Sequence, residues 1–229
     1  MNWRISQSES RSRYLAKYNS QEAALYDSWV RQISAEDNAA YLDDLRDHVT
    51  INPGMKILEA GAGTGGMSVV LATVQGIHLT ALEPCIPMLE LLKQKPELHS
   101  VETVTGFTDS PLDQTLFPKA TFDLIVSRQL VNGLYDPLAA FRNWHHWLKP
   151  TGTLIVTDGF YGRSSWTGQW EEEVDVLPIS ASQSLALVPY LLEQTGFRIQ
   201  IVSEMTRTNL CPSIRTKRFL VIAQPIPAH

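Results

Sequence analysis

The stretch ILEAGAGTGG, which spans Ile57–Gly66, constrains the fold of this chain more than any other segment. Its glycines Gly61, Gly63 and Gly66 form the pattern G-x-G-x-x-G directly after the apolar segment MKILEA, and the helix-forming segment GGMSVVLATV follows. A glycine turn between a strand and a helix lets a ligand approach the backbone closely. The pattern therefore predicts a strand-turn-helix unit that holds a ligand at its turn.

A carboxylate at the mouth of this turn bears on which ligand it holds. In pyrophosphate sites the helix N-terminus attracts the anion, and Glu59, two residues before Gly61, would repel it. A ligand with positive charge, such as the sulfonium and ammonium of S-adenosylmethionine, would be attracted instead. Glu83 ends the next predicted strand and can accept hydrogen bonds from both hydroxyls of a ribose. The two carboxylates together favour an adenosine ligand that carries positive charge.

Downstream of this unit, strand-like and helix-like segments alternate. The strand-like segments IHLTALEP, VETVTGF, FDLIVSR and GTLIVTDGF are accompanied by the helical segments PMLELLKQK and PLAAFRNWHHWL. This spacing implies parallel strands joined by right-handed crossovers. After the helical segment LALVPYLLEQTGF, the strands RIQIVSEM and KRFLVIAQP have no helix between them and should pair antiparallel. The predicted fold class is α/β, a doubly wound and mostly parallel sheet.

Two further segments lie outside this alternation. QEAALYDSWVRQ and AEDNAAYLDDLRDHV show the apolar spacing of helices, and Gly159 to about Ser184 is rich in aromatic, serine and acidic residues. We predict an N-terminal helical segment over residues 1–50. The core then covers residues 51–229 and carries an insert at about residues 159–184.

Composition limits the classes of partner. The 229 residues carry a net charge of −5, which argues against a broad basic field for nucleic acid. The first 18 residues are polar and predict no secretory signal, and no apolar run reaches the roughly 20 residues that span a membrane. Two cysteines, Cys85 and Cys211, make neither a disulfide framework nor a metal spacing. We therefore expect a cytoplasmic protein without nucleic-acid or membrane partners.

The motifs in combination resemble the class I S-adenosylmethionine-dependent methyltransferases, in particular the small-molecule, type 11-like branch. The resemblance rests on KILEAGAGTG, LEPCIPMLE, TFDLIVSRQLVNGLYDP, WLKPTGTLIVTD and the ending LLEQTGF…RFLVIA, and it covers roughly Met55 to Gln224. It implies a seven-stranded sheet with an antiparallel last strand and S-adenosylmethionine as cofactor. KYNSQEAALYDSW also resembles the N-terminal lid of several small-molecule methyltransferases, so residues 1–50 are predicted to form a helical lid.

The resemblance also implies a set of site residues and no metal. The implied cofactor-binding residues are Glu59, Ala60, Gly61, Gly63, Gly65, Glu83, Pro84, Met88, Phe107, Thr108, Asp109, Ser127 and Arg128. The candidates for contact with a small-molecule substrate are Tyr18, Tyr26, Gln129, Asp158, Tyr161, Trp166 and Trp170. No catalytic residue is certain, and the candidates for positioning the reactants are Tyr18, Arg128 and Tyr161.

The chain departs from the family pattern at two places. After the third strand it has Phe107 where the family often has an aspartate that bonds the adenine, so Asp109 or the backbone of Thr108 would have to serve. The stretch SRQLVNGL has Gln129 and Gly133 but no histidine, so an obvious general base is missing. Because a hydroxyl acceptor usually needs a base and a neutral amine does not, N-methylation is slightly favoured over O-methylation, in a role such as natural product biosynthesis.

Other interpretations of the sequence stay open. A nicotinamide-dinucleotide oxidoreductase would use the same glycine pattern, although Glu59 disfavours it, and a non-catalytic S-adenosylmethionine-binding protein would share the fold. In the insert, Trp166 and Trp170 are four residues apart and would share one face if the segment were helical. The acidic run Glu171–Glu173 would attract a cationic amine or form a solvated face.

Overall fold

A computed structural model describes residues 5–226 as seven α-helices, seven strands and short 3₁₀ turns. The helices are α1 Gln7–Lys17, α2 Ser20–Val30, α3 Ala35–Arg46, α4 Gly66–Ala72, α5 Ile86–Lys93, α6 Pro137–Trp147 and α7 Leu187–Glu193. The strands are β1 Lys56–Ala60, β2 His78–Leu82, β3 Glu102–Val104, β4 Phe122–Arg128, β5 Leu148–Gly159, β6 Phe197–Glu204 and β7 Arg218–Pro225. No helix among residues 5–226 is both long enough and apolar enough to cross a bilayer.

The strands form one sheet in the order β3-β2-β1-β4-β5-β7-β6. β7 runs antiparallel to both β5 and β6, and the other pairings are parallel. The predicted fold class, with five alternating strands followed by an antiparallel pair, is confirmed. The order reverses between β1 and β4, and ligands of such sheets bind beyond the carboxyl ends of the strands at that reversal.

Each face of the sheet is covered by helices with an apolar stripe. On one face, α6 contributes the large buried side chains Phe141, Trp144 and Trp147. On the other face, α4 packs beside α3, which buries residues such as Tyr41 and Leu45. Of the predicted lid segment, α3 is therefore built into the core, α2 packs on the glycine turn, and α1 contacts Glu83 and the segment after β3.

Several element boundaries differ from the prediction for local reasons. α4 ends at Ala72, two residues before the end of the predicted helical segment GGMSVVLATV, and Gly76 adopts φ +78° in the turn that leads to β2. α1 is absent from the prediction because QSESRSRYLAK has no apolar stripe, and none of its residues is buried. It begins at Ser6, whose hydroxyl accepts the amide of Glu9.

Gly65 offers a test of how tightly the glycine turn is packed. It adopts φ +92°, and a Cβ there would lie 2.8 Å from Leu98 Cδ1 and 3.0 Å from Leu92 Cγ, both in buried side chains. Gly54 has a similar φ of +85°, but a Cβ there would meet no atom within 4 Å. We expect Gly54→Ala to lower the free energy of unfolding by about 1 kcal/mol, the cost of the left-handed backbone alone.

Gly65→Ala should cost about 2–4 kcal/mol, because overpacking adds to the same backbone cost. Urea unfolding of the two variants beside the parent chain measures both values. Equal losses at the two positions would contradict the tight packing of the turn.

Candidate functional site

The glycine turn between β1 and α4 is tied to the end of β2. The amides of Gly61 and Ala62 both donate to the carbonyl oxygen of Leu82, at 2.9 Å and 3.0 Å. Gly61 and Gly63 adopt φ of +72° and +54°, a backbone region that favours glycine. A side chain at Gly61 would also collide with Leu130, 2.7 Å from its Cδ1. Glycine therefore keeps the space beyond β1 open.

That space is a cleft of about 510 Å³, partly open to solvent. Its walls come from α1, the glycine turn, the end of β2, the segment after β3 and the segment after β4. They are Ser10, Arg11, Tyr14, Gly61, Leu82, Glu83, Pro84, Gly106, Phe107, Thr108, Asp109, Leu130, Gly133 and Leu134. Of the predicted cofactor residues, the structure thus brings Gly61, Glu83, Pro84 and the segment 107–109 together around one cavity.

Glu83 directs a buried carboxylate at this cleft. Its Oε2 accepts the amide of Gly63 at 3.0 Å, and its Oε1 accepts the amide of Cys85 at 2.9 Å and the hydroxyl of Tyr14 at 3.0 Å. Burial raises the pKa of Glu83, and the three hydrogen bonds oppose that shift. The carboxylate is therefore fixed to the glycine turn and also accepts a hydrogen bond from α1.

Glu59 lies behind the turn instead of in the wall of the cleft. It is buried at the end of β1, where its Oε2 accepts the hydroxyl of Ser68 and the backbone of Met67 provides a further hydrogen bond. Burial raises the pKa of Glu59 to about 7, mainly because the charged form loses its hydration, while the charge of Arg128 lowers it. Glu59 therefore caps the start of α4 as well as placing a titratable group close to the turn.

The predicted adenine contacts after β3 are engaged with the protein itself. Asp109 accepts the guanidinium of Arg11 at 2.9 Å and the amide of Tyr135 at 3.0 Å. The same guanidinium lies over the ring of Phe107, 4.4 Å from its centroid. The hydroxyl of Thr108 accepts the indole of Trp144 at 2.6 Å. Arg11, which no motif in the sequence marks, thus joins α1 to this wall of the cleft.

Helix α2 is fixed to the glycine turn by a buried ion pair. Lys95 Nζ lies 2.5 Å from Asp27 Oδ1 on α2 and also donates to the carbonyl oxygen of Thr64 in the turn. Both charged side chains are buried. Removing one partner of such a pair leaves an uncompensated buried charge, which costs several kcal/mol. α2 is therefore held to the turn much more firmly than its exposed face suggests.

Aromatic residues of the lid pack beside Met88. Tyr18 is buried with Cys85 and Met88, its carbonyl oxygen accepts the thiol of Cys85 at 3.1 Å, and its ring stands 6.1 Å from that of Tyr26. A Cβ at Gly63 would meet Tyr26 at 3.7 Å and Met88 Sδ at 3.8 Å. Tyr18, Tyr26 and Met88 thus form the wall that faces the outer side of the glycine turn.

Ser127 and Arg128 are the last two residues of β4. Arg128 Nη1 donates to the carbonyl oxygen of Gly66 at 3.1 Å, and the guanidinium lies 4.6 Å from the ring centroid of Tyr41. Within residues 5–226 no carboxylate forms an ion pair with Arg128, and the buried hydroxyl of Ser127 has no hydrogen-bond partner. Ala60 is paired with Ser127 across β1 and β4, so these groups stand beside the glycine turn.

A second polar group stands at the ends of β5 and β7. Arg218 Nη1 donates to the hydroxyl of Tyr161, and its guanidinium carbon lies 5.6 Å from the ring centroid of Tyr161. With its amide oriented to pair donors with acceptors, Gln129 Oε1 accepts from Arg218 at 3.0 Å and 3.2 Å and from Tyr161 at 2.6 Å. Gln129 adopts φ +52° at the turn after β4. Arg218 was missed because nothing around it in the sequence marks it.

Asp158 lies next to this group but makes its own contacts. Its carboxylate accepts the side chain of Asn132 at 2.7 Å, the amide of Asn132 at 3.1 Å and the amide of Gly159 at 2.7 Å. Burial raises the pKa of Asp158 to about 6. It borders a cavity of about 260 Å³ that also contacts Ser182 and Ser184 of the insert. This cavity is separate from the main cleft.

The segment that holds Trp166 and Trp170 is not helical, so the two residues do not share a helix face. Arg163–Ser165 and Gly168–Trp170 are separate 3₁₀ turns, and the backbone at Trp166 is extended. Trp166 packs against Tyr161 at 6.0 Å and donates to the carbonyl oxygen of Ser180. Trp170 instead packs against Tyr18 at 5.5 Å. The serine-rich and glycine-rich segment lacks the helix formers that the spacing alone would need.

The acidic run of the insert faces the first helix. Glu173 pairs with Lys17, and Glu172 Oε2 lies 3.7 Å from Arg13 Nη1. Lys17 Nζ also lies 4.1 Å from the ring centroid of Trp170. These charges join the insert to α1.

The chain is similar in sequence to known methyltransferases. A family model described as "Methyltransferase domain" matches residues 26–211. The chain is 28% identical over 114 residues to a phosphoethanolamine N-methyltransferase of Triticum aestivum, a match that covers 49% of this chain and 22% of the relative. It is 25% identical over 150 residues to O-methyltransferase rstn1 of Aspergillus nomiae, covering 64% of this chain and 65% of the relative. The chain spans about a quarter of the length of the first curated relatives it matches.

Solved structures share the fold at low identity. Phosphoethanolamine N-methyltransferase 2 of Haemonchus contortus, in complex with phosphomonomethylethanolamine and S-adenosylhomocysteine, has a TM-score of 0.69 at 16% identity. That match covers 98% of this chain and 61% of the other. A TehB-like methyltransferase of Corynebacterium glutamicum has a TM-score of 0.63 at 19% identity, covering 90% of this chain and 100% of the other. At these identities the similarity establishes the fold.

Glu59 gives a prediction for stability against pH. Its pKa is raised from 4.5 to about 7 in the folded protein, so the folded state binds a proton that the unfolded state releases. The stabilisation from this group is fully present below about pH 4.5 and is lost as pH rises towards about 7. Glu59→Gln keeps an uncharged side chain at every pH. Relative to the parent chain, it should gain about 1–3 kcal/mol of unfolding free energy between about pH 5 and about pH 8.

Urea unfolding at the two pH values measures this gain. Glu90→Gln is the matched control, because Glu90 is exposed on α5 and its replacement should leave the difference from the parent unchanged by pH. A Glu59→Gln difference that does not vary with pH would contradict a buried, titrating Glu59.

Proposed function

The chain belongs to the methyltransferase-domain family, and on that premise we propose that it transfers a methyl group from S-adenosylmethionine to a small-molecule acceptor. One observation carries the proposal, namely that the glycine turn and the Glu83 carboxylate stand together at the carboxyl edge of this sheet. When bound, S-adenosylmethionine supplies a methyl group that its sulfonium already activates. The residues of the chain bind and align the two reactants and exclude water, and alignment alone is worth about 7–11 kcal/mol.

The donor set of the cleft fits an adenosine. Glu83 receives three hydrogen bonds on two oxygens, which leaves acceptor capacity for a ribose hydroxyl. Displacement of Tyr14 would free a second position. Pro84, Phe107 and Leu130 give the cleft apolar walls, which suit a purine base. Thr108 and Asp109 remain the proposed polar contacts to the base.

The methionyl part belongs beside the turn. Glu59, behind Ala60 and the glycines, attracts an ammonium when it is ionised. The orphaned hydroxyl of Ser127 and the unpaired guanidinium of Arg128 suit a carboxylate at the end of β4. Met88 supports the same turn from the lid side. S-adenosylmethionine carries an ammonium and a carboxylate on its methionyl part, so both charges meet a group of opposite sign.

The acceptor is proposed to be an amine. Burial raises the pKa of both Tyr18 and Tyr26, so neither phenol serves as a base near neutral pH. The stretch 129–133 holds no histidine. An amine that arrives neutral needs only to be aligned, whereas a hydroxyl needs its proton removed. Relatives named phosphoethanolamine N-methyltransferases support an amine, while the relative named O-methyltransferase rstn1 represents the other chemistry.

The proposed acceptor region lies between the lid and the insert. The residues proposed to line it are Tyr26, Gln129, Tyr161 and Trp166; Tyr161 contacts both Gln129 and Trp166, and Trp170 packs against Tyr18. Asp158 borders the smaller cavity at its edge. Free thiols at both cysteines support a reducing, cytoplasmic site of action, and a role in natural product biosynthesis is part of the same proposal.

Calorimetric titration tests the cofactor. We expect the chain to bind S-adenosylmethionine and S-adenosylhomocysteine but not NAD. Glu83→Gln should weaken both by about 10- to 100-fold, because a charged acceptor for ribose is lost. Glu90→Gln, which removes an exposed carboxylate from α5, is the control and should bind like the parent chain. Binding of NAD instead would favour an oxidoreductase.

A survey of acceptors with labelled methyl groups tests the chemistry. Small primary and secondary amines should be methylated, and phenols of similar size should not, because the stretch 129–133 has no histidine and the buried phenols of Tyr18 and Tyr26 are poor bases for a hydroxyl. Turnover of phenols without amines would reverse the proposed preference. Tight binding of S-adenosylmethionine without turnover of either class would indicate a non-catalytic binding protein.

A further inference from the structure

The proposed methyl transfer gives no role to Arg218. It is the first residue of β7 and pairs with Gly159, the last residue of β5. The guanidinium crosses the Gly159 backbone, where a Cβ would collide with it. This point is on the carboxyl edge of β4 and β5, the edge beyond which ligands of such sheets bind.

The charge of Arg218 has only neutral partners at contact distance. These are the hydroxyl of Tyr161 and the amide oxygen of Gln129. Among residues 5–226, no carboxylate lies within 4.0 Å of its guanidinium nitrogens. Asp158 interacts with the charge of Arg218 only from beyond 4.0 Å. Its carboxylate oxygens accept hydrogen bonds from Asn132 and Gly159 instead.

The other arginines of residues 5–226 differ from Arg218 either in having a carboxylate partner or in being exposed, apart from Arg128. Arg11 is half-buried, like Arg218, and it is paired with Asp109 and Asp113. The arginines without a carboxylate partner are otherwise exposed to water, with Arg128 as the exception at the proposed methionyl end. A partly desolvated cation without a counter-charge is costly, and it is common where a ligand brings the anion.

The groups around Arg218 are suited to an oxyanion. A guanidinium presents several N–H donors in one plane, and the phenol of Tyr161 adds a hydroxyl at its side. The charge of Arg218 lowers the pKa of Tyr26 and of Tyr41, against the larger effect of burial. Its electrostatic field therefore extends to helix α2, on the proposed acceptor side. Arg128 stands at the other end, where the proposed methionyl carboxylate occupies it.

We propose that Arg218, with the hydroxyl of Tyr161 beside it, binds an anionic group of the methyl acceptor, a phosphate or a carboxylate, while the amide oxygen of Gln129 orients the guanidinium. The acceptor is then an amine with an acidic tail, held by the tail at the ends of β5 and β7 while its nitrogen faces the donor. This inference rests on the proposed function and narrows its substrate class.

Anion titration of the protein saturated with S-adenosylhomocysteine tests the site. Inorganic phosphate and acetate are titrated separately by calorimetry at constant ionic strength, so that the two anion classes are distinguished. Arg218→Gln should weaken binding of the preferred anion by about tenfold or more, and Arg218→Lys should retain part of it, because the charge remains and the fork is lost. Arg198→Gln, which removes an exposed arginine from β6, should change nothing.

The same variants are scored for S-adenosylhomocysteine binding, which Arg218→Gln should keep if it remains folded. Tyr161→Phe, which keeps the ring, should weaken the anion by a smaller factor and guards against a folding defect in Arg218→Gln. Failure of the parent chain to bind either anion, or equal affinity in Arg218→Gln, would overturn the anion site while leaving the cofactor proposal intact. Failure of the parent chain to bind S-adenosylhomocysteine would overturn the proposed function and this inference with it.

Discussion

The shape of the glycine turn depends on the carbonyl oxygen of Leu82. It accepts two successive amides of the glycine turn, and the next residue, Glu83, accepts a third amide from the same turn. The loop after β1 is therefore tied to the end of β2 by three hydrogen bonds. Because the turn also starts α4, the orientation of that helix and the position of the Glu83 carboxylate are set by one set of hydrogen bonds.

The site concentrates ionisable groups that are deprived of water. Glu59, Glu83 and Asp158 are buried carboxyls with raised pKa values, and each is held by hydrogen bonds to backbone amides or hydroxyls rather than by a contacting cation. The two half-buried arginines nearby, Arg128 and Arg218, lack contacting carboxylates within residues 5–226. Opposite charges are thus kept out of contact across the site, an arrangement that costs stability and is typical of functional sites.

Much of the fold followed from periodicity and from glycine chemistry, since both are local. The alternation of strands and helices, the antiparallel end and the glycine turn were predicted from segments of about ten residues. Helix α1 was not, because its contacts are polar and distant in sequence, such as Arg11 with Asp109. Arg218 was missed for a related reason. What distinguishes it is that no carboxylate among residues 5–226 pairs with it, and only the structure shows this. The spacing of Trp166 and Trp170 did not reveal their positions, because each packs on a different partner, Tyr161 for Trp166 and Tyr18 for Trp170.

Helices α1 and α2 are held to the rest of the protein by different kinds of contact. α1 buries no whole residue and is held by polar contacts, such as the pairing of the half-buried Arg11 with Asp109 and the hydrogen bond from Tyr14 to Glu83, whereas α2 is fixed through the buried pair of Asp27 and Lys95. Dissolved salt screens surface pairs far more than buried ones. Salt therefore weakens the contacts of α1 more than the pair that holds α2 to the glycine turn. The wall of the cleft that α1 forms and the turn that α2 supports thus respond separately to ionic strength.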